Sequence, residues 1–157
     1  MSVAVKQADV HGSKRSMIRN YKSRDMNSIL GIWLSASVEA HHFIPSEFWQ
    51  SKVEDMRNLY IPVSETYVFE ADGKIVGFYC LYGDTLAAIF VLPNHQGKGI
   101  GSALMNDAKK RRKQLQLTVY KMNSSSTEFY KKHGFVIAGE QIDTNTGQPE
   151  LMMEYRM

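Results

Sequence analysis

The spacing of apolar residues changes period several times along the chain, and each change marks an element. After a polar, aperiodic start over residues 1–16, the stretch SMIRNYKSRDMNSILGIWLSASVEA opens a short strand. A helix follows, with Ile29, Ile32, Trp33 and Ala36 on one face. Pro45 and Ser46 offer a second helix start. Phe48, Trp49, Val53, Met56 and Leu59 then recur at helical intervals, and Pro62 is expected to end the run. ETYVFEADGKIVGFYCLYGDTLAAIFVL reads as three strands, folded into an antiparallel meander by tight turns at Asp72-Gly73 and Gly83-Asp84. A helix is predicted over residues 99–113, a strand at LQLTVY, and a helix at SSSTEFYKKH that Gly134 stops in the left-handed conformation. FVIAGEQID and PELMMEYRM finish the chain as strands around the turn TNTGQ.

The predicted order is β-α-α-β-β-β-α-β-α-β-β, antiparallel early and with one β-α-β crossover. This is an α/β protein of the mixed α+β sheet type. A length of 157 residues with 43% hydrophobic content suits one domain, placed at residues 17–157. Residues 1–16 are expected to be a flexible N-terminal extension, or an artefact of the start site.

Composition removes several function classes. No run of about 18 apolar residues occurs, and the N-terminus lacks the apolar block of a secretory signal, so a cytoplasmic protein with no membrane partner is expected. Cys80, the single cysteine, lies inside KIVGFYCLYG and reads as core, which excludes an internal disulfide. His11, His41, His42, His95 and His133 show no metal-ligand spacing, and no metal is expected. The formal charge is +3, but the basic residues cluster only at Lys109 to Lys113, where a helix should end and cations complement its dipole. Without a second basic stripe or a stacking platform, no nucleic-acid partner is expected.

The stretch VLPNHQGKGIGSALM places Gly97, Gly99 and Gly101 between an apolar strand and a helix. It lacks the G-x-x-x-x-G-K-[ST] spacing of a nucleotide P-loop. It also lacks the G-x-G-x-x-G with a later ribose-binding carboxylate of a dinucleotide site. What remains is either a tight turn or a loop whose convergent N–H groups and helix N-terminus hold an anion such as a pyrophosphate.

The wider context decides for the second. Q96-G97-K98-G99-I100-G101 resembles the [QR]-x-x-G-x-[GA] signature of the GNAT superfamily of acetyl-CoA-dependent N-acetyltransferases. N123-S124-S125-S126-T127-E128-F129-Y130-K131-K132-H133-G134-F135 resembles its second motif, with Ser126 in an alanine position. The AHHFI stretch, and Asp143, Gly147 and Pro149, are similar to small stand-alone bacterial members. The resemblance implies a fold whose central strands splay apart, with acetyl-CoA as cosubstrate. It places the pyrophosphate on the amides of Gln96, Gly97, Lys98, Gly99, Ile100, Gly101 and Ser102, and the pantetheine arm along Ile89, Phe90 and Val91. An N–H of Phe90 or Val91 would hold the oxyanion, and Asn123 would contact the cofactor. Tyr130 would be the general acid.

The glutamate that many relatives carry before the glycine loop is absent from LAAIF. Candidate bases are therefore His41, His42, Glu39 and Glu70, with His41 first, either as base or as a shaper of the acceptor pocket. The expected reaction is direct attack by a primary amine, from a protein lysine, a protein N-terminus or a small molecule, in a ternary complex. A non-catalytic CoA-binding sensor is the alternative, and the protein is expected to be a monomer or a homodimer.

Overall fold

A computed structural model describes residues 3–6 and 15–157. Its strands are β1 (Val3–Lys6), β2 (Arg15–Asn20), β3 (Glu65–Ala71), β4 (Lys74–Tyr82), β5 (Thr85–Val91), β6 (Gln114–Tyr120), β7 (Val136–Ile142) and β8 (Pro149–Arg156). They form one sheet in the order β1-β2-β3-β4-β5-β6-β8-β7. Every neighbouring pair is antiparallel except β5 and β6, which the crossover helix forces to run parallel. The helices are α1 (Met26–Ala40), α2 (Ser46–Ser51), α3 (Val53–Asp55), α4 (Ile61–Val63), α5 (Ile100–Arg111) and α6 (Ser124–Lys132).

Strand alternation sorts the central side chains into two cores. Tyr67, Phe69, Tyr79 and Leu81 point to one face of the sheet and pack with Leu104, Met105 and Ala108 of α5. Val68, Phe78 and Cys80 point to the other and pack with Ile29, Ile32 and Trp33 of α1. The middle of the sheet is thus covered on both faces, and its strands are fixed from both sides. Cys80 is a core residue as expected; burial pushes its thiol up to about 11.

Two boundaries differ from expectation. β2 begins at Arg15, and Val3–Lys6 pair with it, so the start placed at residue 17 falls inside a strand. The rest of the expected extension, residues 1–2 and 7–14, lies outside the described residues. The second helix is broken rather than continuous, and Pro62 does not stop it. Between α3 and α4 the residues Met56–Tyr60 form a π turn in which the Ile61 N–H reaches Met56 O. The wider turn takes up a proline that has no N–H to donate, and the helix runs on to Val63.

The basic run Lys109 to Lys113 is partly built into the fold. Lys109 donates to His133 O at 2.7 Å, Arg111 to Asp107 at 3.1 Å, and Arg112 to Glu65 at 2.9 Å. Three of its cations are therefore held by protein partners.

Candidate active site

The parallel pair β5 and β6 meets only once, at Thr85↔Gln116. Beyond that point the strands part and leave a cleft of about 740 Å³. On the opposite side β5 stays paired with β4 from Tyr82↔Thr85 to Gly77↔Val91. The Leu92 N–H donates to Val76 O at 2.8 Å. The Phe90 carbonyl lies 3.1 Å from where a Cβ on Gly77 would stand. Phe90 and Leu92 thus direct their backbone groups at β4, and alternation turns those of Ile89 and Val91 into the cleft. Val91 O confirms this side by accepting the Gln96 side-chain amide at 3.1 Å.

The glycine loop closes one end of the cleft. Gly97 and Gly99 have φ of +76° and +85°, a left-handed conformation that a side chain would strain. Gly99 is the N-cap of α5 and offers no side chain to it, while the first helical bond is Ala103 N–H to Gly99 O at 3.0 Å. The N–H groups of Ile100, Gly101 and Ser102 therefore have no partner within the helix, and the positive end of the helix dipole lies with them. Gly101 has a packing reason of its own: a Cβ there would stand 3.5 Å from the Phe129 ring, so α5 and α6 approach closely.

Most expected site residues converge here. Ile89, Phe90, Val91, Gln96, Gly97, Gly99, Gly101 and Ser102 line the cleft, as do Asn123, Tyr130 and His41. Two do not. The Lys98 side chain is exposed and outside the lining, and the Ile100 side chain is buried in the α5 core, leaving only its backbone available to a ligand.

Tyr130 is half-buried between Phe129 and Phe135, with ring centroids 5.6 and 5.7 Å away. Burial pushes its phenol up to about 12, so it stays protonated at neutral pH. Its hydroxyl has no hydrogen-bond partner among the described residues. Asn123 caps α6 by accepting the Ser126 N–H at 3.2 Å, and its amide nitrogen meets His41 Nε2 at 3.2 Å.

His41 is engaged at both ring nitrogens. Nδ1 lies 2.8 Å from Ser37 O and must donate to it; Nε2 must then accept from Asn123. The ring is 7% exposed and stacks on Trp49 at 4.9 Å. Burial lowers its pKa, against the opposing pull of the Ser37 carbonyl. A neutral imidazole whose acceptor nitrogen is already occupied is poorly suited to take a proton from an amine. The other candidate bases lie elsewhere: Glu70 pairs with Arg19 at 2.8 Å, and His42 and Glu39 are exposed outside the lining.

The fold is that of known acetyltransferases. Peptidyl-lysine N-acetyltransferase YiaC of Escherichia coli is 34% identical over 140 residues, which span 88% of this chain and 96% of that protein. The chain belongs to the GNAT acetyltransferase family. The family model for the acetyltransferase (GNAT) domain matches residues 62–137 of this acetyltransferase, the segment from α4 to the start of β7. Peptidyl-lysine N-acetyltransferase YjaB of Salmonella typhimurium is 29% identical over 133 residues, 84% of this chain and 91% of that one. Among solved structures, the apo form of E. coli YjaB superposes with a TM-score of 0.79 at 26% identity, covering 89% and 97% of the two chains. The PaiA N-acetyltransferase of Thermoplasma acidophilum, solved with coenzyme A, gives 0.73 at 21%, covering 90% and 99%.

Several residues of this acetyltransferase's cleft escaped the sequence reading. Tyr120 at the end of β6, Asp143 in the β7–β8 turn and Glu150 on β8 all line it, and Tyr120 donates to Asp143. His133 meets Ser102 Oγ at 3.1 Å beside the α5 N-terminus. The only sequence signal for Asp143 was its place in D-x-x-x-G-x-P, and nothing local marked Tyr120 or Glu150. Among the described residues no group of His, Cys, Asp and Glu is arranged to hold a metal.

Proposed function

We propose that this acetyltransferase moves the acetyl group of acetyl-CoA to the side-chain amine of a protein lysine by direct attack in a ternary complex. The observation that carries the reading is the parting of β5 from β6. It leaves the backbone donors of Ile89 and Val91 facing a cleft, in line with the uncapped N-terminus of α5. Such an edge suits the amides of a pantetheine arm, and the helix end suits a pyrophosphate. The peptidyl-lysine activity of the YiaC and YjaB relatives supports lysine as acceptor.

Acetyl-CoA supplies an acetyl group activated as a thioester. The Val91 N–H is the donor for the carbonyl oxygen as negative charge builds on it, a contribution whose loss costs roughly 10²–10³ in rate. The lysine ammonium first loses a proton to water in the cleft; the amine lone pair so freed forms the new C–N bond, and the C–S bond breaks with its electron pair on sulfur. Tyr130 gives its phenolic proton to that sulfur and is recharged by the proton the amine sheds, carried by water in the cleft. His41 is given a positioning role: it fixes the Asn123 side chain that caps α6, the helix that carries Tyr130.

Cys80 takes no part, since its buried thiol is raised and points into a core. The test is Tyr130→Phe, read as thiol release with a lysine peptide and as calorimetric titration with acetyl-CoA. The turnover number should fall roughly 10²-fold or more with cofactor affinity retained. An unchanged turnover number would remove Tyr130 from the proton path.

A further inference from the structure

We infer that the end of the cleft remote from the glycine loop is a subsite for a cationic acceptor, built by Glu150 and Asp143 beside the rings of Tyr120 and Trp49. It should favour a lysine with neutral neighbours over one flanked by carboxylates. The inference rests on the acetyl-transfer reading and specifies what the same cleft accepts.

The lining mixes polar and apolar groups, and its charged side chains are unlike in sign. At the loop end lie the positive N-terminus of α5 and Lys132, the basic side chain of the lining; its neighbour His133 contacts Ser102 there. At the other end the charged side chains are Asp143 and Glu150. Glu150 is the cross-strand partner of Tyr120, whose hydroxyl donates to Asp143, so the two carboxylates flank one tyrosine; Glu150 itself accepts the Gln141 side-chain amide at 2.6 Å. Burial would raise the Asp143 carboxyl, but bonds from Tyr120, the Asn145 N–H and Thr146 take it below its ordinary value, and it is charged at neutral pH.

The wall beneath is aromatic. Trp49 lies 4.9 Å from His41, which lies 5.3 Å from Tyr120, and Phe43 lies 5.8 Å from Tyr120. Ring faces next to carboxylates are favourable surroundings for an ammonium and its aliphatic stem. A separate observation marks the same wall as incomplete. Trp49 is 8% exposed and lines the cleft, yet its indole N–H has no hydrogen-bond partner among the described residues. A buried donor of this kind is normally satisfied, so the wall around Trp49 is a place where an added acceptor group would be favourable.

Glu150 is the residue to test. Asp143 also holds the β7–β8 turn, accepting the Asn145 N–H at 2.9 Å, and its removal could disturb the hairpin. Two peptides, each with one lysine, serve as probes: one with neutral flanks and one with glutamate on both sides. Wild type should prefer the neutral peptide in kcat/KM. Glu150→Gln should raise KM for the neutral peptide roughly tenfold, the worth of one charge-assisted contact, and shrink the preference between the peptides. Glu150→Lys should reverse that preference. Titration with acetyl-CoA reports whether each variant retains the loop end of the cleft. Equal losses on both peptides with cofactor binding intact would overturn the subsite while leaving the transfer reading in place. Binding of acetyl-CoA by the wild type with turnover of neither peptide would overturn both.

Discussion

The two ends of the cleft are built from different parts of the chain. At the loop end the polar groups turned to the cleft belong to the backbone. The N–H groups of residues 99–102 and the inward-turned edge of β5 are set by strand alternation, by two glycines in the left-handed region and by the start of a helix. At the opposite end they are side chains, from α1, α2, β6, β8 and the hairpin turn, brought together by tertiary packing. A backbone site tolerates many sequences if the glycines stay. A side-chain site changes chemistry with each substitution, so one fold can keep a cofactor and vary its acceptor.

Perturbing the loop end where its backbone is constrained should give the largest effect. Gly99→Val places a β-branched residue at φ +85°, which costs about 1–2 kcal/mol or more and lets the loop relax away from its present shape. Acetyl-CoA affinity should weaken roughly 10- to 30-fold by calorimetric titration. Unchanged affinity would mean that the loop's shape is not what binds.

At the junction of the two ends, His41 gives an intermediate effect with a defined pH dependence. Its folded pKa lies below the ordinary value near 6.5, so above that pH the ring is neutral in both states and the contribution is full. As pH falls below about 6.5 the unfolded chain takes up a proton that the folded one resists, and stability declines until the folded pKa is passed. Thermal unfolding of the wild type should therefore show a midpoint that drops between pH 7 and pH 5. His41→Gln should flatten that drop. An acid limb in the rate profile that vanished with His41, on an unaltered stability curve, would restore it as a base.

The smallest effect belongs to Lys98. Its side chain is exposed and outside the lining, so Lys98→Ala should change acetyl-CoA affinity less than about threefold at physiological ionic strength. A larger loss would show that a charge, and not the backbone alone, serves the loop end.

Legibility in the sequence followed the same division. The meander, the crossover and the α5 start were readable because turn glycines, period-two strands and amphipathic helices are local signals. The π turn at Met56–Tyr60 was not, because Pro62 reads locally as a stop, whereas the wider turn before it lets the helix run on to Val63. His41 was legible as a cleft residue but not in its state, since its partner Asn123 lies 82 positions away. Tyr120, Asp143 and Glu150 were missed as a group because they come from a strand end, a turn and a neighbouring strand that no linear spacing relates.

By itself, then, the amino-acid order determined the strand and helix succession, the glycine backbone at the loop end of the cleft and, through two motifs, the family. These depend on conformational preferences within a few residues. Tertiary structure alone decided that β5 and β6 part after one pairing, that His41 is buried with Asn123 at its Nε2, and that two carboxylates and an aromatic wall face the open end. Those outcomes depend on which distant side chains the packed sheet brings within hydrogen-bond and ring-contact range.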